Sequence, residues 1–390
     1  MKKNLVALTA MSVLFPPAHA QSSVTLFGVV DDALTINTNA KGARQTSLTS
    51  GAMGSPRWGL KGTEDLGGGL KSLFWIEGGF STNTGALGQG GDLFGRQAKV
   101  GLTHDAWGTL TLGRQYSAGY QLIGPMTSGG SFAFSGAGFG THPADLDNLD
   151  STYRVNNAII YTTPQIRGFT GMAMYSMGGI AGAAGERQIW ALGAQYLSGP
   201  VTLGMGYQQS DRPNFSVNGV NPSASSTGLN MTSPVNQGYA SAGVQKTFAA
   251  GASYNFGKGT VAAIFSNSRY MHLGSTAVAG LPAVAAGYTG TASFNIGELN
   301  ARYYVSPVLM LGAAYAYTRA SGVNSATYQQ VNAVVDYFFS KRTDIYAGGV
   351  FQRASGTNSL GEKAVAAING ATASSSNRQL VAVIGIGHRF

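Results

Sequence analysis

Along most of this chain, apolar and polar or small residues alternate with a period of two, and turn residues interrupt the alternation at wide intervals. A period of two puts successive side chains on opposite faces of a strand. The clearest case is the last segment, residues 378–390. Leu380, Ala382, Ile384, Ile386, His388 and Phe390 fall on one face. Gln379, Val381, Val383, Gly385, Gly387 and Arg389 fall on the other. One face is mostly apolar and the other small or polar, the pattern of a wall with lipid on one side and water on the other.

Short turn signals lie at 67–69, 105–108, 164–168, 198–200, 257–259, 306–307 and 340–342. Each carries Gly, Pro, Asp, Ser or Lys between two strand-like runs. Longer Gly/Ser/Asn-rich stretches separate them, at 37–54, 81–92, 117–150, 178–186, 210–245, 270–292, 320–326 and 354–376. An up-and-down barrel with both termini on one side has one short turn fewer than it has long loops. Seven turns and eight loops therefore predict sixteen strands in an all-β, antiparallel transmembrane β-barrel. A barrel of that size encloses water rather than a packed interior. A soluble β-sandwich would need an apolar interior, fewer glycines and more even loops. Phe256, Phe338, Phe339 and Phe390 adjoin predicted short turns or the C-terminus, where an aromatic girdle would lie.

Composition supports a wall with two solvents. There are 57 Gly and only 11% charged residues, and the mean hydropathy is +0.03. Soluble proteins usually carry about 25% charged residues. After residue 20 no apolar run is long enough for a membrane helix, which takes about 20 residues. Lys2 and Lys3, the apolar stretch Leu5–Phe15 and the tripeptide Ala18-His19-Ala20 predict a signal peptide over 1–20. The barrel domain would then occupy 21–390. Loss of Lys2 and Lys3 takes the formal charge from +9 to +7. An exported chain seldom meets nucleic acid, so this charge points to anionic solutes or to lipopolysaccharide phosphates. Absence of cysteine excludes disulfides and thiolate chemistry.

Several segments resemble the Gram-negative general porins, especially their β-proteobacterial branch. Ser55-Pro-Arg-Trp-Gly-Leu-Lys-Gly-Thr-Glu-Asp-Leu-Gly-Gly-Gly-Leu-Lys71 is similar to that family's second and third strands. Phe94–Leu102, Gly108–Tyr116, Tyr153–Tyr161, the opening Ser23–Asp31 and the terminal Gly387-His-Arg-Phe390 continue the match. The resemblance runs from residue 23 to 390 and lapses in the long loops, which diverge readily. It implies a homotrimer of sixteen-stranded barrels. It implies a third loop folded into the barrel, with a ladder of arginines facing carboxylates on that loop. It also implies that Phe390 is the signal to the barrel-assembly machinery.

The same resemblance marks Arg57, Arg96 and Arg154 as basic constriction residues, with Arg114 a fourth candidate. Arginine suits a wet constriction because its guanidinium stays charged and is weakly hydrated, and clusters of Arg or Lys in a pore select anions. Parity agrees for Arg57, which shares a face with Gly59 and Lys61 while Trp58 and Leu60 lie opposite. Arg154 shares a face with Thr152 and Asn156. Arg96 shares one with Val100 and Leu102, and Arg114 with Leu110 and Leu112, so alternation leaves both open between lumen and rim. In the third loop, family members place carboxylates near the tip, which here reads Gly124–Ser131 and has none. The acidic residues come late, as Asp145, Asp147 and Asp150. They either face the arginines, bind a structural cation or solvate the loop. Fewer facing acids would strengthen anion preference. Asp31 and Asp336 are expected on the luminal face.

Other chemistry is sparse. Outside the leader the histidines are His104, His142, His272 and His388, none at metal-ligand spacing. There is no nucleophile elbow and no phosphate loop. The sequence therefore predicts no catalytic residues, no metal and no cofactor. It predicts a passive, anion-biased outer-membrane channel for small hydrophilic solutes. The partners expected are further copies of the chain, outer-membrane lipid and lipopolysaccharide. Alternatives are a porin selective for one class of anion, and a surface adhesin or structural barrel.

Overall fold

The computed structural model describes residues 23–150, 152–183 and 185–390, so the predicted leader at 1–20 lies outside the described residues. Every strand runs antiparallel to its neighbours. In chain order they are β1 (Ser23–Ala40), β2 (Ala43–Ser50), β3 (Arg57–Gly67), β4 (Leu70–Gly79), β5 (Gln97–His104), β6 (Gly108–Gln115), β7 (Val155–Thr162), β8 (Phe169–Ser176) and β9 (Ile189–Ser198). They continue as β10 (Val201–Asp211), β11 (Val244–Asn255), β12 (Gly259–Leu273), β13 (Gly290–Ser306), β14 (Leu309–Gly322), β15 (Ala326–Phe338), β16 (Thr343–Gly356) and β17 (Arg378–Arg389). β1 pairs with β17 from Val29 opposite Arg389 to Asn37 opposite Val381, which closes the wall.

Seventeen segments fill sixteen places. β3 pairs with β1 over Ser23–Val29, and β2 pairs with the same strand over Asp32–Ala40. β2 and β3 therefore lie end to end and form one wall strand, broken at 51–56. Pro56 has no N–H to give the ladder. Gly51 takes φ +74, and a Cβ there would come within 2.1 Å of the Pro56 ring.

All seven predicted short turns join consecutive strands. The expected long loop over 37–54 is overturned. Both strands continue through it to a tight turn at Lys41-Gly42, with φ of 54 and 102, the positive values that two-residue hairpins need. These strand ends are rich in Thr, Ser, Asn and Gln, so the hydrophobic alternation disappears while the ladder persists.

Alternation places large apolar side chains outward. On β14, Leu311, Tyr315 and Tyr317 are exposed while Met310, Ala314 and Ala316 are buried. The inward face is polar in many places, with Thr318, Gln330, Asn332 and Gln352 all buried. Asp31 and Asp336 are buried on that inward face. Phe338 departs from the expected girdle. It lines the interior and stacks on Tyr304 at 6.4 Å, whereas Phe256, Phe339 and Phe390 are exposed.

The connection between β6 and β7 carries helices α1 (Ala118–Ile123) and α2 (Ser128–Ser131). It runs against inward-facing side chains of the wall. Gln195 of β9, Gln245 of β11, Asn300 of β13 and Gln330 of β15 donate amide N–H groups to the carbonyls of Leu122, Leu146, Met126 and Thr141, at 2.8 to 3.0 Å. These bonds satisfy backbone acceptors that would otherwise be buried alone. Glycines make the seat: a Cβ at Gly193 would sit 2.5 Å from Leu122, and one at Gly312 would sit 2.4 Å from Phe132. Part of the glycine content thus serves close approach between wall and segment.

Candidate functional site

Inside the wall lies a cavity of about 980 Å³, and Arg57, Arg96 and Arg154 all line it. Three different elements deliver them. Arg57 opens β3 directly after the 51–56 break, with its side chain on the inward parity expected. Arg96 and Arg154 are not in strands. Each immediately precedes one, β5 and β7 respectively. That resolves the parity of Arg96. Within β5, Gln97 is buried inward while Val100 and Leu102 are exposed outward. Arg96 sits on a bend before the pleat begins, so its side chain is free to turn in.

One carboxylate serves two of these guanidinium groups. Arg96 Nε lies 2.5 Å from Glu77 Oε1, and Arg57 Nε lies 3.6 Å from the same oxygen. Glu77 also accepts from Trp75 Nε1 at 3.0 Å and Gln97 Nε2 at 3.1 Å. Arg96 Nη2 donates to the Tyr116 hydroxyl at 2.9 Å. Arg154 packs over the Tyr116 ring, 5.2 Å from its centroid, and Tyr120 packs at a tilt of 43° against Tyr116, with ring centroids 4.8 Å apart. Among the described residues, Arg154 has no carboxylate partner, and its Nε is buried without a hydrogen bond. The cluster therefore holds three guanidinium charges against one carboxylate. Arg302 and Arg389 reach the same cavity from β13 and β17.

The late carboxylates of the β6–β7 connection divide. Asp150 lines the cavity. Its Oδ1 accepts from Thr127 Oγ1 at 2.6 Å while Oδ2 is buried without a partner. Burial, and then the neighbouring Asp145, push its carboxyl well above the usual range. Asp145 and Asp147 do not reach the cavity. Asp145 accepts the backbone N–H groups of Asp150 and Thr152 at 3.2 and 2.8 Å. Burial, with Asp147 beside it, raises its pKa to about 6.

Asp147 accepts from Ser266 Oγ at 2.5 Å and lies 2.8 Å from His142 Nδ1. On its other side, His142 Nε2 is 3.2 Å from Glu298 Oε2, a charge contact without hydrogen-bond geometry. Glu298 also accepts from Ser128, through backbone N–H at 2.7 Å and Oγ at 2.9 Å. Burial alone would push the imidazole down, but Asp147 and Glu298 carry it well above its ordinary value. The connection is thereby pinned to β12 and β13 by a buried acid–imidazole–acid row.

Arg114 does not join the other arginines. It lines a separate cavity with Asp92, Asn156 and Asn221. Its guanidinium donates to Gly95 O at 2.8 Å, Val220 O at 3.0 Å, Asn221 Oδ1 at 2.9 Å and Asn156 Oδ1. Phe390 continues the ladder past β17, exchanging backbone hydrogen bonds with Gly28 at 3.0 and 3.1 Å. Sequence reasoning missed Glu77, Tyr116 and Tyr120, and it missed the His142 row. Glu77 carried a usable signal, an acid two residues from Trp75 on an alternating strand. His142 and Glu298 are 156 residues apart and carried none.

A model of the family described as Gram-negative porin matches residues 7–357. Outer membrane porin protein 32 of Delftia acidovorans is 29% identical over 398 aligned positions, covering all of both chains. An outer membrane porin protein of Bordetella pertussis is 32% identical over 246 positions, covering 56% of this chain and 62% of the relative. The structure of an anion-selective porin from Comamonas acidovorans superimposes with a TM-score of 0.71, covering 95% of this chain and all of that one at 24% identity. The closed wall of sixteen places, the polar interior and the family match together show that the chain belongs to the Gram-negative porins.

Proposed function

We propose that this outer-membrane porin is a general diffusion channel biased toward anions. The reading is that Arg57, Arg96 and Arg154 form its charge filter, with the β6–β7 connection narrowing the lumen beside them. The observation that carries it is Arg154, a buried guanidinium in the lumen wall without a carboxylate partner among the described residues. With Arg57 and Arg96 sharing Glu77, the cluster keeps a net positive charge where it lines the cavity. Such a cluster attracts anions and repels cations without binding either tightly, which conduction requires.

Transport of this kind stabilises no transition state, and the proposal assigns the chain no catalytic step and no cofactor. Arg114 is given a different task, tying the 80–96 connection to the long loop at 212–243. Asp145 and Asp147 anchor the β6–β7 connection. Phe390 is read as the assembly signal, and the functional unit as a homotrimer. The test is a planar bilayer under a salt gradient. An anion-side reversal potential with current steps in threes supports the proposal. Absence of current from folded protein would leave the adhesin or structural barrel instead.

A further inference from the structure

The lumen wall carries two aromatic side chains where a polar face is expected. Phe27 of β1 and Trp75 of β4 face inward and line the central cavity, although the inward face of a water-filled barrel is polar. Their rings meet edge to face, with centroids 5.3 Å apart and planes at 68°. The wall is shaped to hold them there. Gly59 of β3 stands opposite Phe27, and a Cβ at that position would come within 2.6 Å of the phenyl ring. The indole is fixed by its own donor, since Trp75 Nε1 donates to Glu77 Oε2 at 3.0 Å. Apolar surface held open to water is unfavourable, and covering it is favourable.

Cations flank the same rings. Lys61 of β3 and Lys99 of β5 are the direct cross-strand partners of Trp75, one on each side. Lys61 Nζ lies 5.0 Å from the Trp75 ring centroid and 5.6 Å from that of Phe27, and Lys99 Nζ lies 5.6 Å from that of Trp75. Among the described residues neither ammonium has a carboxylate partner. The acids of these strands that face the lumen nearby are engaged elsewhere. Glu77 takes Arg96, Gln97 and the indole, and Asp65 accepts the backbone N–H of Gly67 at 2.8 Å.

This row is distinct from the arginine cluster. Lys61 lies four residues beyond Arg57 along β3, toward the short turn at 67–69, which is about 13 Å at the rise of a strand. A solute travelling along this wall between the arginines and the short-turn end passes over the row.

We infer that Phe27, Trp75, Lys61 and Lys99 form a second luminal subsite, for aromatic monocarboxylates. The inference rests on the anion-biased channel proposed above and names one class of its solutes. The carboxylate pairs with a lysine ammonium while the ring of the solute covers Trp75 and Phe27. A compact inorganic anion would engage the ammonium groups and leave both rings in water. The aromatic pair therefore favours an anion with a flat apolar body. The two ammonium groups also attract the face of such a ring. The subsite is open to the lumen, so the solute leaves readily and conduction continues.

The test is the current through wild-type channels in a planar bilayer near neutral pH, in potassium chloride with benzoate, cyclohexanecarboxylate or acetate added. All three are monoanions, and the first two differ chiefly in the π face. Benzoate should half-block at concentrations about three- to tenfold below cyclohexanecarboxylate, the gain expected of one aromatic pair. Acetate should leave the current unchanged over the same range. Lys61→Gln/Lys99→Gln removes the carboxylate partners and should raise the half-blocking concentration of benzoate about tenfold. Phe27→Leu/Trp75→Leu removes the π faces and should bring the two ring acids to equal block. The comparison of the three acids on the wild type needs no variant, so it decides even where a variant misfolds. Equal block of the wild type by benzoate and cyclohexanecarboxylate would overturn the subsite, as would benzoate block that persists unchanged in both variants. The reversal potential in a potassium chloride gradient separates this inference from the charge filter. An anion-side potential without preferential benzoate block removes the subsite and leaves the filter. A cation-side potential with preferential block removes the filter and leaves the subsite.

Discussion

Replacing Arg154 by Gln removes the one guanidinium of the proposed filter that no carboxylate offsets, and the size of the effect can be worked out. Two unit charges 4 Å apart in water interact by about 1 kcal/mol. An anion passing at that distance loses about this much attraction in the variant, and a cation loses the same repulsion. The anion-to-cation ratio then falls by up to about 2 kcal/mol, roughly 30-fold at 1.36 kcal/mol per decade. Glu77→Gln is the counterpart of opposite sign. It removes the carboxylate at 2.5 Å from Arg96 and 3.6 Å from Arg57, so anion preference should rise. The assay is the reversal potential of single channels across a potassium chloride gradient. It should be run near 0.01 M, where the Debye length is about 30 Å, and again at 1 M, where it is about 3 Å and the difference should nearly vanish. Reversal potentials for Arg154→Gln and Glu77→Gln that match the wild type at low salt would refute the charge-filter reasoning.

Three further outcomes follow from the site. The His142 row stabilises the β6–β7 connection while the imidazole is protonated. Because its value in the folded chain is raised above 6.5, that stabilisation is whole below about pH 6.5 and is lost as pH rises through the folded value. Current fluctuations from segment motion should therefore grow on the alkaline side, and His142→Leu should show them at every pH; a pH-independent trace from the wild type would contradict this. Gly193→Leu fills the seat of Leu122, where even a Cβ would come within 2.5 Å. It should displace α1 and change single-channel conductance while the barrel still resists heat in gel mobility. Arg114→Ala breaks the four hydrogen bonds that hold Gly95, Asn156, Val220 and Asn221; proteolysis of the 212–243 loop should accelerate while the reversal potential stays unchanged.

The wall was legible in the sequence because alternation and turn chemistry are local. Outward Leu380, Ile384 and Ile386 and inward Gln379, Val381 and Val383 of β17 follow from parity alone. All seven short turns were visible because each needs Gly, Pro, Asp or Ser within a few residues. Parity failed where the pleat stops. Sharing a face with Val100 and Leu102 left Arg96 open between lumen and rim, because the chain turns before β5 begins and alternation does not reach it. Strand length was also underread where no apolar side chain was needed. Thr38, Gln45 and Ser47 extend the first hairpin above the lipid, where polar residues serve the ladder equally well.

What could not be read is which interior side chains meet, because those contacts join residues far apart in the chain. Gln330 meets Thr141 across 189 positions and Ser128 meets Glu298 across 170. Each of these polar side chains looks like an ordinary luminal residue until the connection lies against it. The arginines of the proposed filter stand at or just before strand starts. Within a strand, side-chain direction is dictated by the pleat, and every second residue must face lipid. A residue just before the strand escapes that rule while its backbone is still fixed by the ladder beyond it. Arg96 and Arg154 each occupy such a position, immediately before β5 and β7, whereas Arg57 is the first residue of β3 and faces inward by parity. The break at 51–56 and the connections before β5 and β7 thus bring three guanidinium groups to one cavity. Moving any of them two residues into its strand would keep the face and shift the charge by about 7 Å along the strand, away from the cluster proposed as the charge filter.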